Sequence, residues 1–315
     1  MNDASPWAIV IFAARESPDL LLLTLKAALA ASRNTAHVDI LVNGNPELAT
    51  AIAGLSGTSL RPDMAPLVRV WSLAQGDKAN TWNSYLHHIW QGESISFFID
   101  GYVRLNPDAI ELLGNAVEAQ PTVLGGTGVP SMGRTAAAMR AHMAEHGGFH
   151  GNLCCIKGEV IRQIRQRNIR LPFGLYRVDS LMGALLSFGL DPCNNSWDRH
   201  RILVHPEASW QTDTRHWWRP SDVKAQVKRI LRQARGVLEN EAVKQLFVAQ
   251  KIQPEQLPTT ARALVLQWVE HCPEQVHAIL SKSILARKAL KEIQTTADKL
   301  ADGCPPTLIH SGMPR

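Results

Sequence analysis

SFFIDGYVRLNPDAI, residues 96–110, decides the fold. An apolar burst, Phe97-Phe98-Ile99, stops at Asp100, and Gly101, Tyr102 and a helix-starting Asn106-Pro107 follow. The pattern is a short buried strand, a turn and a helix. A carboxylate directly behind three bulky apolar residues needs a partner. Asp100 therefore either faces a ligand or caps the helix or turn.

The same strand-then-helix pattern repeats toward the N-terminus. Residues 7–12 (WAIVIF) read as a strand, and 17–32 (SPDLLLLTLKAALAAS) as a helix with a serine cap and a proline in its first turn. Residues 38–44 (VDILVNG) and 67–73 (LVRVWSL) are further strands, each followed by a helical run, 45–55 and 80–90. This alternation predicts an α/β fold, a doubly wound, mostly parallel, Rossmann-like sheet. Residues 122–206 are irregular and glycine-rich, with helices at 158–169 and 178–189. From about Ser221 the pattern is helical, and the tail after Gly303 reads as loose. The chain divides into residues 1–236 and a C-terminal helical extension, 237–315.

Ligands of such sheets bind beyond the carboxyl ends of the strands. There the sequence places Arg15 and Glu16, then Asn43, Gly44 and Asn45, then Gly76, Asp77 and Lys78, and finally Asp100.

The 315 residues are 45% hydrophobic, enough for a sizeable core, with net charge +5 and pI about 9.0. That balance suits an anionic ligand or membrane surface but does not argue for nucleic acid. The cysteines number five, without a C-x-x-C pair, which fits a reducing, cytoplasmic compartment. No basic signal-peptide start and no run of 18 apolar residues is present. No G-x-G-x-x-G follows the first strand and no P-loop motif occurs, which sets aside dehydrogenase and P-loop readings.

Four stretches carry alternatives. HMAEH, with His142, Glu145 and His146, has the form of a zinc-hydrolase motif. Gly147 and Gly148 stop the helix at once, and solvated helix-end histidines are the other reading. DTRHWWRP sets Arg215, His216 and Arg219 around two tryptophans, which suits a diphosphate, a sugar ring or a lipid headgroup, or else an aromatic staple. Lys224 to Arg235 form a basic amphipathic helix, for an anionic membrane or for solvent. Asp179 opens a helix, where aspartate is a common cap.

Taken in order, these features resemble the inverting nucleotide-sugar glycosyltransferases of family 2, with the GT-A fold, over about residues 7–236. AIVIFAARES resembles the opening strand and its loop, placing Glu16 near the nucleotide base. DILVNGN stands where the family has Asp-Asp-Gly-Ser, so Asn43 replaces a base-contacting acid. In GDKANTWNSYLHHIWQGESISFFIDGY, Lys78, Asn83 and Asp100 align with the glycine-lysine loop, the helix asparagine and the Asp-x-Asp strand end. GGFHGNLCCIKGEVIRQI resembles the acceptor-side segment, with Gly151 and Asn152. YRVDSLMGALLSFGL resembles the helix carrying the catalytic base, here Asp179, with Val178 replacing the preceding acid. Tyr102 replaces the second acid of Asp-x-Asp, and the Gln-x-x-Arg-Trp of processive members is missing, so a polymer synthase is not expected.

The resemblance implies transfer of a sugar from a nucleoside diphosphate sugar to a hydroxyl of a glycan or lipid-linked acceptor, with Asp179 as base. It points to polysaccharide biosynthesis at a cytoplasmic site, with a peripheral contact at the inner membrane face as one reading of Lys224 to Arg235. In the family Mg2+ or Mn2+ stabilises the leaving diphosphate. Here Asp100, with His205 as a further ligand, would hold it, or else Arg215, His216 and Arg219 would supply the counter-charge. A degenerate domain that only binds or scaffolds is the alternative from another class.

Overall fold

The computed structural model describes residues 7–33, 35–58, 68–212, 220–297 and 303–312. Its first half alternates as the sequence predicts: β1 (Ala8–Ala13), α1 (Pro18–Ala31), β2 (His37–Asn43), α2 (Pro46–Thr58), β3 (Val68–Leu73), α3 (Lys78–Ser84) and β4 (Ile95–Asp100). Helix α1 starts where Ser17 accepts a hydrogen bond from the Leu20 amide with proline in the first turn. Helix α3 starts where Asp77 accepts from the Asn80 amide, and it runs on as a π-turn over Tyr85–Ile89.

Strands β3, β2, β1 and β4 lie side by side and parallel. Every residue of β1 is buried, because both faces of this sheet are covered. Ile9 and Ile11 of β1 pack with Leu21 and Leu25 of α1 and Ile52 of α2. Val10 and Phe12 pack on the other face, with Trp82 of α3 and Phe98 of β4.

The other half of the sheet is built by β5 (Val103–Leu105) together with three strands that lie in or extend from the irregular middle, β6 (Gly125–Pro130), β7 (Cys154–Lys157) and β8 (Ile202–Thr212). The full order is β5-β8-β6-β7-β4-β1-β2-β3-β9, a mixed sheet whose antiparallel pairs flank the parallel core. Between these strands lie α4 (Ala109–Glu118), α5 (Ala136–His146), α6 (Gly158–Gln166) and α7 (Val178–Ser187). Asn106-Pro107 does not itself open α4. Asn106 instead ties β5 to β8, through its amide to the Ser209 carbonyl and its Nδ2 to the Ser209 hydroxyl.

The C-terminal helices are α8 (Pro220–Lys244), α9 (Ala261–His271), α10 (Pro273–Lys282) and α11 (Ile284–Thr295). Helix α8 is continuous across Gly236. Leu238, Leu264, Trp268 and Ile293 from these helices join the same core cluster as Phe12 and Phe98. The tail, expected to be loose, forms β9 (Thr307–Gly312), antiparallel to β3. It covers what would otherwise be an open sheet edge. No helix among the described residues is long and apolar enough to cross a membrane.

Candidate active site

The parallel strands bring their carboxyl-end loops together. Asn43 donates its side-chain amide to the Ala13 carbonyl at 2.9 Å, and Asn45 donates to Ala14 at 3.0 Å. Glu16 accepts from the Ala14 and Arg15 amides at 2.7 and 2.9 Å. These three side chains shape the β1 and β2 loops.

Lys78 begins α3, capped by Asp77, and reaches across to the end of β4. Its Nζ lies 2.5 Å from Asp100 Oδ1. Tyr102 donates its hydroxyl to Asp100 Oδ2 at 3.0 Å and approaches Asn152 Oδ1 at 3.4 Å. Tyr102 thus braces the Asp100 carboxylate through the oxygen that Lys78 Nζ does not take. Asp179, in the first turn of α7, accepts from the Gly151 amide at 3.3 Å and from the Ser180 amide at 3.1 Å. A methyl group on Gly151 would sit 3.4 Å from Lys78 Nζ and 3.5 Å from Asp179 Oδ2. Both are ordinary contact distances, and they put the lysine and the carboxylate near one stretch of backbone.

Burial pulls the Lys78 ammonium down, but the Asp100 and Asp179 carboxylates outweigh it and hold its pKa above the ordinary lysine value. Lys78 stays charged at neutral pH. His150 is half-buried beside these groups, with its ring 4.9 Å from that of Trp210. Burial lowers its pKa against the pull of Asp179 and Asp100. Its Nδ1 accepts from the Asn152 amide at 3.2 Å, and an amide can only donate, so the neutral ring carries its proton on Nε2. His150 directly precedes the Gly151-Asn152 pair that drew attention in the sequence, and adjacency was the signal available there.

Lys78, Asp100, Gly151, Asn152 and Asp179 are therefore brought together. Asn83 is not among them. Its side chain pairs twice with the backbone of Leu171, at 2.9 Å in each direction. His205 lies in β8, where its Nδ1 accepts from the Glu207 and Ala208 amides at 3.3 and 3.1 Å, and it shares no hydrogen bond or ion pair with Asp100. Arg215, His216 and Arg219 lie outside the described residues. The His142 and His146 rings meet edge-on at 4.6 Å on α5, with Glu145 3.9 Å from His146.

A mannosyltransferase from Pyrobaculum calidifontis, solved in complex with GDP-Man and Mn2+, has a similar fold. The likeness has a TM-score of 0.54 at 16% identity and covers 93% of this chain and 87% of that chain. It reaches beyond residues 7–236, into the C-terminal helices, and it shows the α/β, Rossmann-like architecture. No protein-family model matches the chain. No curated protein matches it either.

A hard divalent cation wants several oxygen ligands. No group of three His, Cys, Asp or Glu suited to a metal exists among the described residues. Both oxygens of Asp100 already accept hydrogen bonds, one from a cation. An ion at Asp100 would therefore have to complete its shell with phosphate oxygens and water, and the Lys78 ammonium is a positive charge already beside that carboxylate. HMAEH likewise belongs to no such group among the described residues.

Proposed function

We propose that the chain is a glycosyltransferase that moves a sugar from a nucleoside diphosphate sugar to an acceptor hydroxyl with inversion. The observation that carries this reading is the placement of a cation, Lys78, and a carboxylate, Asp179, on either side of Gly151 at the carboxyl edge of the sheet. The likeness to a structure holding GDP-Man supports it at the level of fold. The acceptor is a glycan or a lipid-linked sugar.

In this reading the diphosphate lies along the loops after β1, β2 and β3, with Lys78 shared between Asp100 and the phosphate oxygens. Asp179 removes the proton from the acceptor hydroxyl as that oxygen attacks the anomeric carbon. The bond from that carbon to the diphosphate breaks on the opposite face, and the negative charge that develops there is met by the Lys78 ammonium. His150, neutral with its proton on Nε2, is a hydrogen-bond donor beside the acceptor segment. The amide of Gly151 fixes one oxygen of Asp179 and so aims the base.

The second reading is a degenerate domain that binds nucleotide without transfer. The occupied oxygens of Asp100 favour it. Calorimetry with UDP, GDP, CDP and dTDP, each with and without Mn2+, tests the donor site, and release of sugar from the matching nucleotide sugar separates the two readings. Binding without turnover supports the degenerate domain. Binding to none of the four removes both nucleotide readings.

A further inference from the structure

Asp179 stands at the start of α7, and the seven residues before that helix, 171–177, form a loop that turns at Gly174. Five amides and three carbonyls of this loop are held by distant parts of the chain. Leu171 is paired on both sides by Asn83. The Phe173 amide donates to the Thr259 carbonyl, and the Phe173 carbonyl accepts from Ala261. The Gly174 amide donates to Asp77 Oδ2 at 3.0 Å, so the carboxylate that caps the Lys78 helix also grips the loop of Asp179. The Gly174 carbonyl accepts from Arg235 Nη2 at 3.0 Å.

The last two loop residues meet Glu239 of α8. Its Oε2 accepts from the Tyr176 amide at 2.9 Å and from the Arg177 amide at 3.4 Å. Its Oε1 takes Arg235 Nε at 2.8 Å. Glu239 has no exposure at all, and a buried carboxylate persists only with partners such as these. The two amides stand just ahead of α7, which has no side-chain cap of its own. A negative group there caps the helix from another segment of the chain. Gly236 of α8 faces the side chains of the same two loop residues. A methyl group there would sit 2.7 Å from Arg177 Nε and 3.1 Å from Tyr176 Cδ1.

We propose that Glu239, braced by Arg235, is the positioning residue for Asp179, and that α8 is part of the transfer site rather than an appendage. This rests on the reading of Asp179 as the base. Arg235, though partly exposed, holds both the loop and Glu239. Glu239 touches no reacting atom. It fixes where α7 begins, and hence where the Asp179 carboxylate stands relative to Gly151 and Lys78. Small displacements of a base are costly, a misplacement of about 1 Å lowering turnover by on the order of a hundredfold.

The test uses the full chain with Glu239→Ala, Glu239→Gln and Gly236→Ala. Amide exchange at residues 174–180, nucleotide affinity by calorimetry, and kcat and KM for the nucleotide sugar are measured for each. Glu239→Ala is expected to lose protection at Tyr176 and Arg177 and to lower kcat by about tenfold to a hundredfold, with nucleotide affinity within about twofold of the parent. Glu239→Gln keeps one acceptor oxygen and recovers most of that loss. Gly236→Ala favours the helix and leaves Glu239 in place, so it is the control: the Arg177 side chain has to move, while protection at Tyr176 and Arg177 stays near the parent's. Unchanged exchange at 174–180 in Glu239→Ala overturns the proposal. So does a fall in kcat matched by an equal fall in nucleotide affinity. If the parent protein turns over no nucleotide sugar, the transferase reading fails, and the exchange arm still decides whether Glu239 holds the loop.

Discussion

Lys78 Nζ and Asp100 Oδ1 are 2.5 Å apart, one at the start of a helix and the other at the end of a strand 22 residues later. The pair joins two loops across the carboxyl edge of the sheet. It also shapes the electrostatics of the site, because it sets an ammonium directly against the carboxylate at the end of β4. Replacing Lys78 by alanine should weaken nucleoside diphosphate binding about tenfold to a hundredfold, the range for losing one charged hydrogen bond of about 1.5–3 kcal/mol. Calorimetry reads this directly. Unaltered affinity would place the diphosphate elsewhere.

Tyr102→Asp should create metal binding. The substitution removes the hydroxyl that occupies Asp100 Oδ2 and sets a second carboxylate two residues from the first. Mn2+ titrations followed by electron paramagnetic resonance should show binding at least about tenfold tighter in the variant, since hard cations gain with each added carboxylate. Equal titrations in the two proteins would mean that Lys78, not Tyr102, is what keeps the ion out.

Asp179→Asn should abolish transfer while leaving the donor nucleotide bound. Asparagine keeps an acceptor oxygen for the Gly151 amide, so the local backbone is preserved, but it cannot take a proton. A loss of about a hundredfold to ten-thousandfold in kcat is the scale for removing a general base. A variant with parental kcat would end the assignment of Asp179 as the base.

Asn83→Ala should cost stability first. Its amide satisfies both the amide and the carbonyl of buried Leu171. Leaving both without partners costs about 2–4 kcal/mol, readable from urea denaturation midpoints. A loss of activity without a loss of stability would return Asn83 to the site.

Asn83 also shows where the sequence stops being legible. The alternation of apolar strands with capped helices was open to reading because β1 to β4 are buried on both faces and carry near-continuous apolar runs. Their ends followed, and with them Lys78 and Asp100. The short strand β5, the bulged β8 and the edge strand β9 were not, because each is fixed by pairing with a distant partner and carries little apolar alternation of its own. The site divides in the same way. Asp77 before Lys78 was visible as a strand-end residue, but neither its capping of α3 nor its second oxygen on Gly174, 97 residues away, was. Nor was Glu239 on the loop of Asp179. Such contacts follow from how α8 packs on the core, which local pattern does not encode.

The far end of the sheet makes the last prediction. Asp39 of β2 takes both Nε and Nη2 of Arg69 at 2.6 Å, and the Trp71 indole at 2.8 Å. His37 Nε2 lies 3.1 Å from Glu93 Oε1 and 3.6 Å from Asp39 Oδ2. Burial lowers the His37 pKa, but hydrogen bonds to Asp39 and Glu93 outweigh it and raise it from 6.5 to about 9. Arg69 Nη2 lies 3.2 Å from the same nitrogen, a repulsion the two carboxylates overcome. Because the folded value is the higher one, folding binds a proton here. The stabilisation is complete below about pH 6.5 and is lost as pH rises through about 9. The loss is at most about 3 kcal/mol, and the neutral imidazole can then accept from Arg69, which reduces it further. Urea denaturation at pH 6, 8 and 10 should show stability falling over this window, with the fall much smaller in His37→Gln. A profile identical in the two proteins would show that the His37 proton contributes nothing to folding.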